Sequence, residues 1–504
     1  MSSPRPRKHV RVFVFTFASH TAAMLTLVRK VAAPAPDVLF SFFGTKTFNG
    51  QVLPEEAVGV CGNVRSCYVG DGLPEGFVPS GNPFELIDLF LKAVQTNFYE
   101  AMEGAEKAVG VKICCLITDA FLWFGAEMAQ EKAVPWVPVW FSGSRSLLTH
   151  VHTDLIRETL GSQEPEDSDK MLDFIPCLES VRSKDLPWEV IRMNPTLQFS
   201  IMVDKMARSL PKANAVVVNS FDELDPFATS QLEKHFKKVL NVDPISVLST
   251  RTETVAEAPP PPTADPHGCI QWLNEQPPAS VVYISFGSVI TPLPGEVTAL
   301  AEALDEAAVP FLWSFRGDPK EHLPSEFVAR STTAEGCLDS KSKMVPWAPQ
   351  LEVLRHGSVG AFLTHCGWNS LLECFTGGVP AIMRPFFGDQ KMNYRYMVSV
   401  MRVGIGLEGG EITKAGVVAA LRRVLLENEG KKMRGRMGPL KEIVASAVAA
   451  AAALVRTSSL SWRWSLSRWM HAMYDRASVS WIILLKEIKV GEYFSACKVY
   501  AQVA

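Results

Sequence analysis

The 504-residue sequence lacks several features that mark whole classes of protein. No uninterrupted apolar run reaches the ~18 to 20 residues that a bilayer crossing needs, so we expect no membrane span. The net charge is only -3 and no block of like charge occurs, which argues against nucleic acid as a partner. The ten cysteines form no CxxC pair and no regular framework, a pattern typical of reduced thiols, and we expect a cytoplasmic protein.

Short apolar runs instead alternate with helical patterns along the chain, and this alternation predicts an α/β fold of parallel sheets covered by helices on both faces. The runs that we predict as strands are residues 10–17, 112–118, 215–219, 281–286, 360–363 and 379–383. In such folds ligands bind beyond the carboxyl ends of the strands. The residues that follow each run are therefore the candidates for chemistry.

A proline-rich segment near the middle, TETVAEAPPPPTADP, can continue neither a strand nor a helix and is typical of an extended connector. It divides the chain into two α/β halves. We predict a first domain over residues 1–251, a linker over 252–266, a second domain over 267–448 and an atypical tail over 449–504.

The strongest signal is the segment that reads WAPQLEVLRHGSVGAFLTHCGWNSLLECFTGGVPAIMRPFFGDQ. Its run GAFL leads through the turn THCG into a helical pattern, and the free N–H groups and dipole of a helix N-terminus suit a diphosphate. The next run ends at Asp389 and Gln390, whose carboxylate and amide can hydrogen-bond vicinal sugar hydroxyls. Trp347 offers a flat face on which a base can stack.

Taken together, these pieces resemble the signature box of plant secondary-product UDP-glycosyltransferases. The resemblance extends from about residue 9 to about residue 447 and is closest to flavonoid 3-O-glucosyltransferases, which act on anthocyanidins or flavonols. It implies a GT-B fold of two facing Rossmann-like domains, with the acceptor mostly in the first and the UDP-sugar mostly in the second. The UDP-sugar ligands that it implies are Ser288, Trp347, Ala348, Gln350, His365, Trp368, Asn369, Ser370, Glu373, Asp389 and Gln390.

The resemblance also implies a role for each of these residues. Trp347 stacks on uracil, and the Ala348 backbone and Gln350 contact the nucleoside. Glu373 holds the ribose hydroxyls. The diphosphate is bound by His365, Asn369, Ser370 and Ser288, and the sugar by Trp368, Asp389 and Gln390. A terminal glutamine usually accompanies glucose and a histidine often accompanies galactose, so Gln390 favours UDP-glucose, with UDP-galactose or UDP-xylose as alternatives.

In the first half, His20 follows the first run, where it would face the ligand cleft, and it matches the family's catalytic base. An imidazole with an ordinary pKa near ~6.5 can take a proton from a phenol or enol hydroxyl. Asp119 ends the run KICCLITD and matches the partner aspartate, which would fix the tautomer of the imidazole. The alternatives are that His20 and Asp119 merely cap helices. The implied mechanism is a direct displacement with inversion.

That mechanism needs no metal ion and no cofactor beyond UDP-glucose as donor substrate. The DxD-like segment Asp167-Ser168-Asp169 is interpreted as solvated surface. The partners are then two small molecules, the UDP-sugar and an aromatic acceptor, and we expect a monomer. Five residues are predicted to line the acceptor pocket, although each could equally belong to the core: Phe84, Phe121, Ser142, His150 and Phe199.

Near Ala449 the sequence departs from the family's pattern, and Trp462, Trp464, Trp469 and Trp481 crowd the tail. This departure makes an inactive, UDP-binding relative one alternative. A second alternative is glucosyl transfer to another small phenolic or hormone. The third, an NAD-dependent enzyme, is the weakest because no G-x-G-x-x-G follows the first run.

Overall fold

The computed structural model describes residues 8–46, 62–78, 83–161, 168–242, 245, 265–287, 289, 291–332 and 341–460. The chain divides into two compact units. The first contains the described residues within Met1–Glu164, Glu189–Leu248 and Ala447–Ala504, and the second contains those within Pro165–Trp188 and Ser249–Ser446. The predicted linker lies outside the described residues except for 265 and 266.

The first unit is built on a parallel sheet with the strand order β3-β2-β1-β4-β5-β6-β7. Its strands are β1 Lys8–Phe13, β2 Val38–Thr45, β3 Val64–Val69, β4 Ile113–Asp119, β5 Trp136–Trp140, β6 Val216–Val218 and β7 Val239–Asn241. Its helices are α1 Ala18–Ala32, α2 Pro83–Val109, α3 Gly125–Glu131, α4 Ser144–Val151, α5 Thr153–Leu160, α6 Trp188–Ile191 (which begins at the last residue of the second unit), α7 Gln198–Ser209 and α8 Pro226–Leu232. A 3₁₀ turn, Leu210–Lys212, follows α7.

Both faces of this sheet are buried, which explains why its strands are apolar throughout. On β1, Val10 and Val12 pack with residues of α1 in one continuous core. Phe13 points to the opposite face, where its ring lies 4.7 Å from that of Phe98 on α2. Successive side chains of a strand alternate between faces, so a strand covered on both sides needs apolar residues at every position.

The second unit contains a parallel sheet with the order β10-β9-β8-β11-β12-β13. Its strands are β8 Val281–Ser285, β9 Phe311–Ser314, β10 Ser342–Val345, β11 Val359–Thr364, β12 Ala381–Met383 and β13 Gly404–Gly406. Its α-helices are α9 Cys269–Asn274, α10 Pro294–Ala307, α11 Ser325–Thr332, α12 Gln350–Arg355, α13 Trp368–Gly377, α14 Gln390–Arg395, α15 Lys414–Leu421 and α16 Asn428–Leu460, of which the residues from Ala447 onward belong to the first unit. Short 3₁₀ helices lie at Ser183–Asp185, Pro319–Glu321 and Glu408–Gly410, and π-helical turns at Tyr396–Met401 and Arg422–Leu426.

Each sheet reverses its winding beside its first strand. In the first unit β1 lies between β2 and β4, and in the second unit β8 lies between β9 and β11. The connections leave such a strand pair in opposite directions, so a crevice opens at the carboxyl ends of the two strands. The two crevices therefore lie after β1 and β4 and after β8 and β11.

All six predicted strands are confirmed, with ends that differ by up to four residues, as where β1 ends at Phe13 rather than at residue 17. The compact units divide the chain differently from the predicted domains over Pro165–Trp188, which they assign to the second unit. The physical reason is a buried ion pair between Asp185 and Arg395, 210 positions apart.

The helix α16 continues to Leu460, beyond the predicted domain end at residue 448, and residues 461–504 of the predicted tail lie outside the described part of the chain. Throughout the described ranges, every helix is too short or too polar to cross a lipid bilayer.

Candidate active site

His20 and Asp119 meet at the crevice of the first sheet. His20 lies in the first turn of α1, and Asp119 is the last residue of the neighbouring strand β4. The Nδ1 atom of His20 lies 2.7 Å from Oδ2 of Asp119. The other carboxylate oxygen accepts the backbone N–H of Phe121 at 3.0 Å. Asp119 is only 1% exposed, so both of its oxygens act within a buried setting.

This geometry assigns the two ring nitrogens of His20 different tasks. A carboxylate accepts hydrogen bonds, so it favours the tautomer with the proton on Nδ1 and leaves Nε2 with a free lone pair. The capping alternatives are wrong. The residue before α1 is Phe17 and the residue before α3 is Phe124, and neither helix has a side-chain cap. His20 is 18% exposed, which leaves its ring accessible.

Aromatic side chains surround the His20 ring. Its centroid lies 4.9 Å from that of Phe141, 5.3 Å from Phe17 and 5.4 Å from Phe121. Phe121 also contacts Phe199, with 6.1 Å between their ring centroids. Such rings can stack on or meet the edge of a planar ligand.

His150 belongs to the same aromatic group through Trp140, whose ring centroid lies 5.2 Å from that of His150 and 5.9 Å from that of Phe121. The Nδ1 atom of His150 is buried and has no hydrogen-bond partner among the described residues. Burial lowers the pKa of His150 to about 4, so the ring is neutral at pH 7. A buried polar atom without a partner is costly unless a ligand supplies one.

The structure thus brings three of the five predicted acceptor residues into one aromatic group with His20: Phe121 contacts His20 directly, Phe199 contacts Phe121, and His150 joins through Trp140. Ser142 is half-buried and follows Phe141 just beyond β5, at the same edge of the sheet. Phe84 lies in the first turn of α2, and its side chain is outside the described part of the structure.

At the crevice of the second sheet, the turn after β11 leads directly into α13. Gly367 is the residue before the helix and makes no side-chain cap hydrogen bond to it. Cys366 has a φ of 68°, a left-handed conformation that costs energy in a residue other than glycine. The Nδ2 group of Asn393 donates to the Cys366 carbonyl at 3.1 Å and holds this turn in place. An uncapped helix N-terminus of this kind is suited to an anion.

His365 lies beside that helix N-terminus. Burial lowers the pKa of His365 to about 4, and the positive charge of Arg316 acts in the same direction. The ring fits against Gly287, which has a φ of 76° and where an added Cβ would lie 2.5 Å from His365 Nε2. A neutral His365 can offer one N–H to an anion. The predicted ligand Ser288 follows Gly287 and lies outside the described residues.

Gln350, Ser370 and Glu373 form one hydrogen-bonded group. The Nε2 atom of Gln350 donates to Ser370 Oγ at 2.9 Å and to Glu373 Oε2 at 2.6 Å. Tyr283 donates to Gln350 Oε1 at 3.3 Å. Burial raises the pKa of Glu373 to about 7, although the Gln350 amide opposes that rise. Within this group the Glu373 carboxylate is the acceptor suited to hydroxyl groups.

Trp347 lies just after β10 and is 53% exposed, unusual for so large an apolar side chain. The following residue, Ala348, is buried. An exposed indole at the carboxyl edge of the sheet presents the flat surface that the sequence predicts for a base.

Gln390 opens α14 and is buried. Its Oε1 atom accepts the backbone N–H groups of Phe386 at 2.8 Å and Phe387 at 3.2 Å. Asp389 precedes it and accepts a hydrogen bond from Asn393 Nδ2 at 2.8 Å. Because Oε1 of Gln390 already accepts two backbone N–H groups, the Gln390 side chain can hydrogen-bond a ligand only as a donor, through Nε2. Trp368 is buried at the start of α13, whereas Asn369 is half-buried.

Sequence reasoning missed three residues that support this region. Asn393 links α14 to the turn at Cys366, and Arg384 forms a 2.9 Å ion pair with Glu296 at the start of α10. The only sequence signal for Asn393 is an amide one turn beyond Asp389 on the same helix. Arg384 and Glu296 lie 88 positions apart, so no local sequence pattern predicts their pairing.

Two doubly wound sheets define the molecule as a nucleotide-binding α/β protein. One sheet has a histidine–carboxylate pair at its crevice, and the other has an uncapped helix N-terminus. The family model described as "UDP-glucoronosyl and UDP-glucosyl transferase" matches residues 85–438. The chain belongs to this family and is a UDP-glycosyltransferase. The NAD-dependent alternative is therefore wrong.

Individual relatives agree with this assignment. The chain is 47% identical to a flavonoid 3-O-glucosyltransferase of Medicago truncatula over 87% of this chain and 93% of that protein. It is 44% identical to an anthocyanidin 3-O-galactosyltransferase of Rhododendron delavayi over 88% of this chain and 94% of that one. The crystal structure of a UDP-glucose:anthocyanidin 3-O-glucosyltransferase in complex with UDP matches with a TM-score of 0.83 and 34% identity, covering 97% of this chain and 100% of that one. The predicted α/β fold of the GT-B type is confirmed.

Proposed function

We propose that this enzyme transfers glucose from UDP-glucose to a flavonoid hydroxyl, the 3-hydroxyl of an anthocyanidin or flavonol, with inversion at the anomeric carbon. The observation that carries the proposal is the His20–Asp119 pair at 2.7 Å within a group of aromatic rings. A base beside flat apolar surfaces suits a planar phenol or enol. The names of the similar proteins support the same substrate class.

In the proposed reaction, His20 Nε2 takes the proton of the acceptor hydroxyl while that oxygen attacks the anomeric carbon. The new C–O bond forms as the bond from that carbon to the β-phosphate oxygen breaks, and UDP leaves with the electron pair. Asp119 stabilises the imidazolium that results. Its near-complete burial strengthens this interaction, because the carboxylate is poorly screened by water.

For the donor, we propose that Trp347 stacks on uracil, the Ala348 backbone and Gln350 hold the nucleoside, and Glu373 accepts the ribose hydroxyls. The α13 N-terminus, with Asn369, Ser370, His365 and Ser288, would bind the diphosphate and stabilise the leaving charge. This arrangement is supported by the shared hydrogen bonds of Gln350, Ser370 and Glu373.

For the transferred sugar, Trp368, Asp389 and Gln390 are the proposed contacts, and glucose is the proposed sugar. The commitment of Gln390 Oε1 to two backbone N–H groups leaves only its Nε2 for a sugar hydroxyl. A galactosyltransferase is among the similar proteins, so the donor has to be tested directly.

The acceptor pocket is proposed to contain Phe121, Ser142, His150 and Phe199, with Phe84 as a fifth member. The unpartnered Nδ1 of His150 would bond a second hydroxyl of the flavonoid. The division of labour between an acceptor-binding first domain and a UDP-sugar-binding second domain is part of the same proposal. The monomeric state and the cytoplasmic location stay predictions.

The test is turnover of UDP-glucose with a panel of flavonols, anthocyanidins, simple phenols and phenolic hormones, with product position and anomeric configuration read by mass spectrometry and NMR. We expect a β-glucoside at the 3-hydroxyl. His20→Ala should lower kcat by ~10²- to 10⁴-fold. His235→Ala, an exposed histidine of the same unit, is the matched control and should leave kcat unchanged.

Three outcomes would change the proposal. Turnover of simple phenols or hormones in preference to flavonoids would replace the acceptor class. UDP binding without turnover of any acceptor would indicate an inactive relative. Unchanged activity in His20→Ala would remove His20 as the base.

A further inference from the structure

Residues 168–188, described here as the lobe, form a small folded segment within the second unit. The backbone of Leu172 donates to Val181 at 2.9 Å, and Met171 pairs with Arg182 in an antiparallel bridge. Leu172, Ile175 and Leu178 are fully buried. The lobe comes from the first half of the sequence but belongs with the unit that carries the proposed sugar contacts.

The lobe contacts α14 through Asp185. Asp185 ends the short 3₁₀ helix Ser183–Asp185. Its carboxylate oxygens accept hydrogen bonds from Arg395 Nε at 2.8 Å and from Arg395 Nη2 at 3.1 Å. This two-point pairing of a carboxylate with a guanidinium fixes orientation as well as distance. Only 6% of the Asp185 side chain and 14% of the Arg395 side chain are exposed. Asp185 Oδ2 also accepts the N–H of Arg182, which fixes the carboxylate itself.

The helix that Arg395 ends is the helix that Gln390 begins. Asp389 immediately precedes it, and Asn393 in its middle binds both the Asp389 carboxylate and the carbonyl of Cys366. Only five positions separate Gln390 from Arg395 on this helix, which continues into the π-helical turn Tyr396–Met401, so a shift of Arg395 is transmitted to Gln390. Any shift of Arg395 would move Asp389 and Gln390 together.

We propose that Asp185 is a positioning residue for the transferred sugar. Its two-point pairing with Arg395, called here the clamp, sets the positions of Asp389 and Gln390. The inference rests on the proposed function, in which those two residues contact the sugar. The proposed UDP contacts at Gln350, Ser370 and Glu373 lie on α12 and α13, which the clamp does not touch. The helix α14 reaches α13 through the Asn393 hydrogen bond to the Cys366 carbonyl, one step further from Arg395 than the sugar contacts. Loss of the clamp should therefore weaken recognition of the sugar much more than recognition of UDP.

The experiment compares equilibrium binding of UDP-glucose and of UDP to the full chain by calorimetry, with no acceptor present. For Asp185→Asn we expect affinity for UDP-glucose to fall ~10-fold or more while affinity for UDP changes less than ~2-fold. In turnover assays the preference for UDP-glucose over UDP-galactose should fall by a similar factor. Asp169→Asn is the matched control, since it removes an exposed carboxylate paired with Arg182 and Lys184 in the same lobe.

Two further variants keep the test decisive. Arg395→Lys retains the charge and loses the two-point geometry, so it should show a smaller selective loss, and it replaces Asp185→Asn if that variant does not fold. The double variant Asp185→Asn/Arg395→Gln should bind UDP-glucose no worse than whichever of the single variants Asp185→Asn and Arg395→Gln binds it more weakly, because the two residues act as one pair.

Parallel losses of UDP and UDP-glucose affinity would overturn the proposal and leave the pair a general stabiliser. Equal effects of Asp169→Asn and Asp185→Asn would overturn it as well. These outcomes are independent of the proposed acceptor, because binding is measured without one. Failure of the wild type to glucosylate flavonoids would contradict the proposed function and leave the clamp's effect on UDP-glucose readable.

Discussion

Glu373 carries a carboxyl group that gains or loses its proton near neutral pH. Burial raises its pKa from 4.5 to about 7 in the free protein. Hydroxyl donors favour the ionised form, so a ligand whose ribose bonds Glu373 should bind better once the proton has left. The folded protein holds that proton between pH 4.5 and 7 while the unfolded chain releases it, so Glu373 makes folding less favourable as pH rises through this range.

We therefore expect affinity for UDP-glucose to fall as pH drops below about 7, by at most ~tenfold per pH unit. UDP-glucose is the right probe because its diphosphate has no group that titrates near pH 7. Calorimetric titrations from pH 5.5 to 8.5 measure the effect. Glu373→Gln should bind weakly at every pH with no inflection, and Glu326→Gln, at an exposed position, should behave as wild type. A flat wild-type profile would contradict the prediction.

Gly287 is a second residue where a small change has a calculable effect. Its φ of 76° disfavours any side chain, and an added Cβ would lie 2.5 Å from His365 Nε2. Gly287→Ala should therefore cost ~1 to 2 kcal/mol of stability from backbone strain and also displace the His365 ring, with a loss of UDP affinity.

Gly317→Ala provides the control for that prediction. Its φ is 89°, and nothing lies within 4 Å of an added Cβ. It should show a similar drop in melting temperature and unchanged UDP binding. Equal UDP affinities for the two variants would show that the His365 ring does not take part in binding.

At the scale of single residues, the sequence predicted those that belong to a motif and missed those that support them. His20 and Asp119 were predicted because each follows or ends an apolar run and matches a residue of the family's pattern, and the structure joins them. Asp185 and Arg395 were missed because their 210-position separation leaves no periodic trace in the sequence.

At the scale of elements, the loop between β12 and α14 is fixed by one buried ion pair. Glu296 Oε1 accepts from Arg384 Nε at 2.9 Å and from the Ile412 N–H at 3.0 Å, and its Oε2 accepts from Leu293 N–H at 3.2 Å. The Arg384 guanidinium also lies 4.2 Å from the ring centre of Phe386, whose N–H holds Gln390. The Glu296 carboxylate thereby joins α10 to the loop that contains Arg384 and to the loop that contains Ile412.

Arg384→Met should lower the free energy of unfolding by about 3 kcal/mol, since it leaves a buried carboxylate without its partner. Urea titration of the second unit, followed by hydrogen exchange, measures the loss. An exposed pair supplies the control: Arg423 and Glu429 pair at 2.8 and 2.9 Å, and Arg423→Met should cost less than ~1 kcal/mol. Similar losses in the two variants would contradict the prediction.

Element prediction succeeded where burial on both faces made a strand continuously apolar, as in β4, β8 and β11. It missed the three-residue strands β7 and β13, although the equally short β6 and β12 were predicted, and it also missed β3, β5, β9 and β10. β2 was also missed, although its sequence VLFSFFGT has the same apolar character as the strands that were found.

At the scale of the whole molecule, buried histidines make the first unit sensitive to acid. Burial lowers the pKa of the buried His9 and His150 from 6.5 to about 4, and the pKa values of the half-buried His152 and the exposed His235 shift in the same direction. Between pH 6.5 and 4 these histidines bind protons in the unfolded chain but stay neutral in the native unit. Glu189, whose pKa is raised by burial, opposes this trend with a single proton.

The free energy of unfolding of the first unit should therefore fall as pH drops from 6.5 towards 4. The fall is up to ~1.4 kcal/mol per pH unit for each of His9 and His150. Urea titrations at several pH values, with hydrogen exchange of β1 and β4 as the readout, measure the slope. His150→Phe keeps an aromatic ring and should reduce that slope, whereas His322→Phe in the second unit should not. An unchanged slope in His150→Phe would contradict the prediction.

The lobe has a consequence for synthesis on the ribosome. Asp185 is translated 210 residues before Arg395, which at ~5 to 20 residues per second is a wait of roughly 10 to 40 s. During that interval the nascent lobe cannot complete its packing, and Leu172, Ile175 and Leu178 lack the unit in which they are finally buried. The lobe is therefore a segment of the emerging chain to which a chaperone can bind until the second unit is complete.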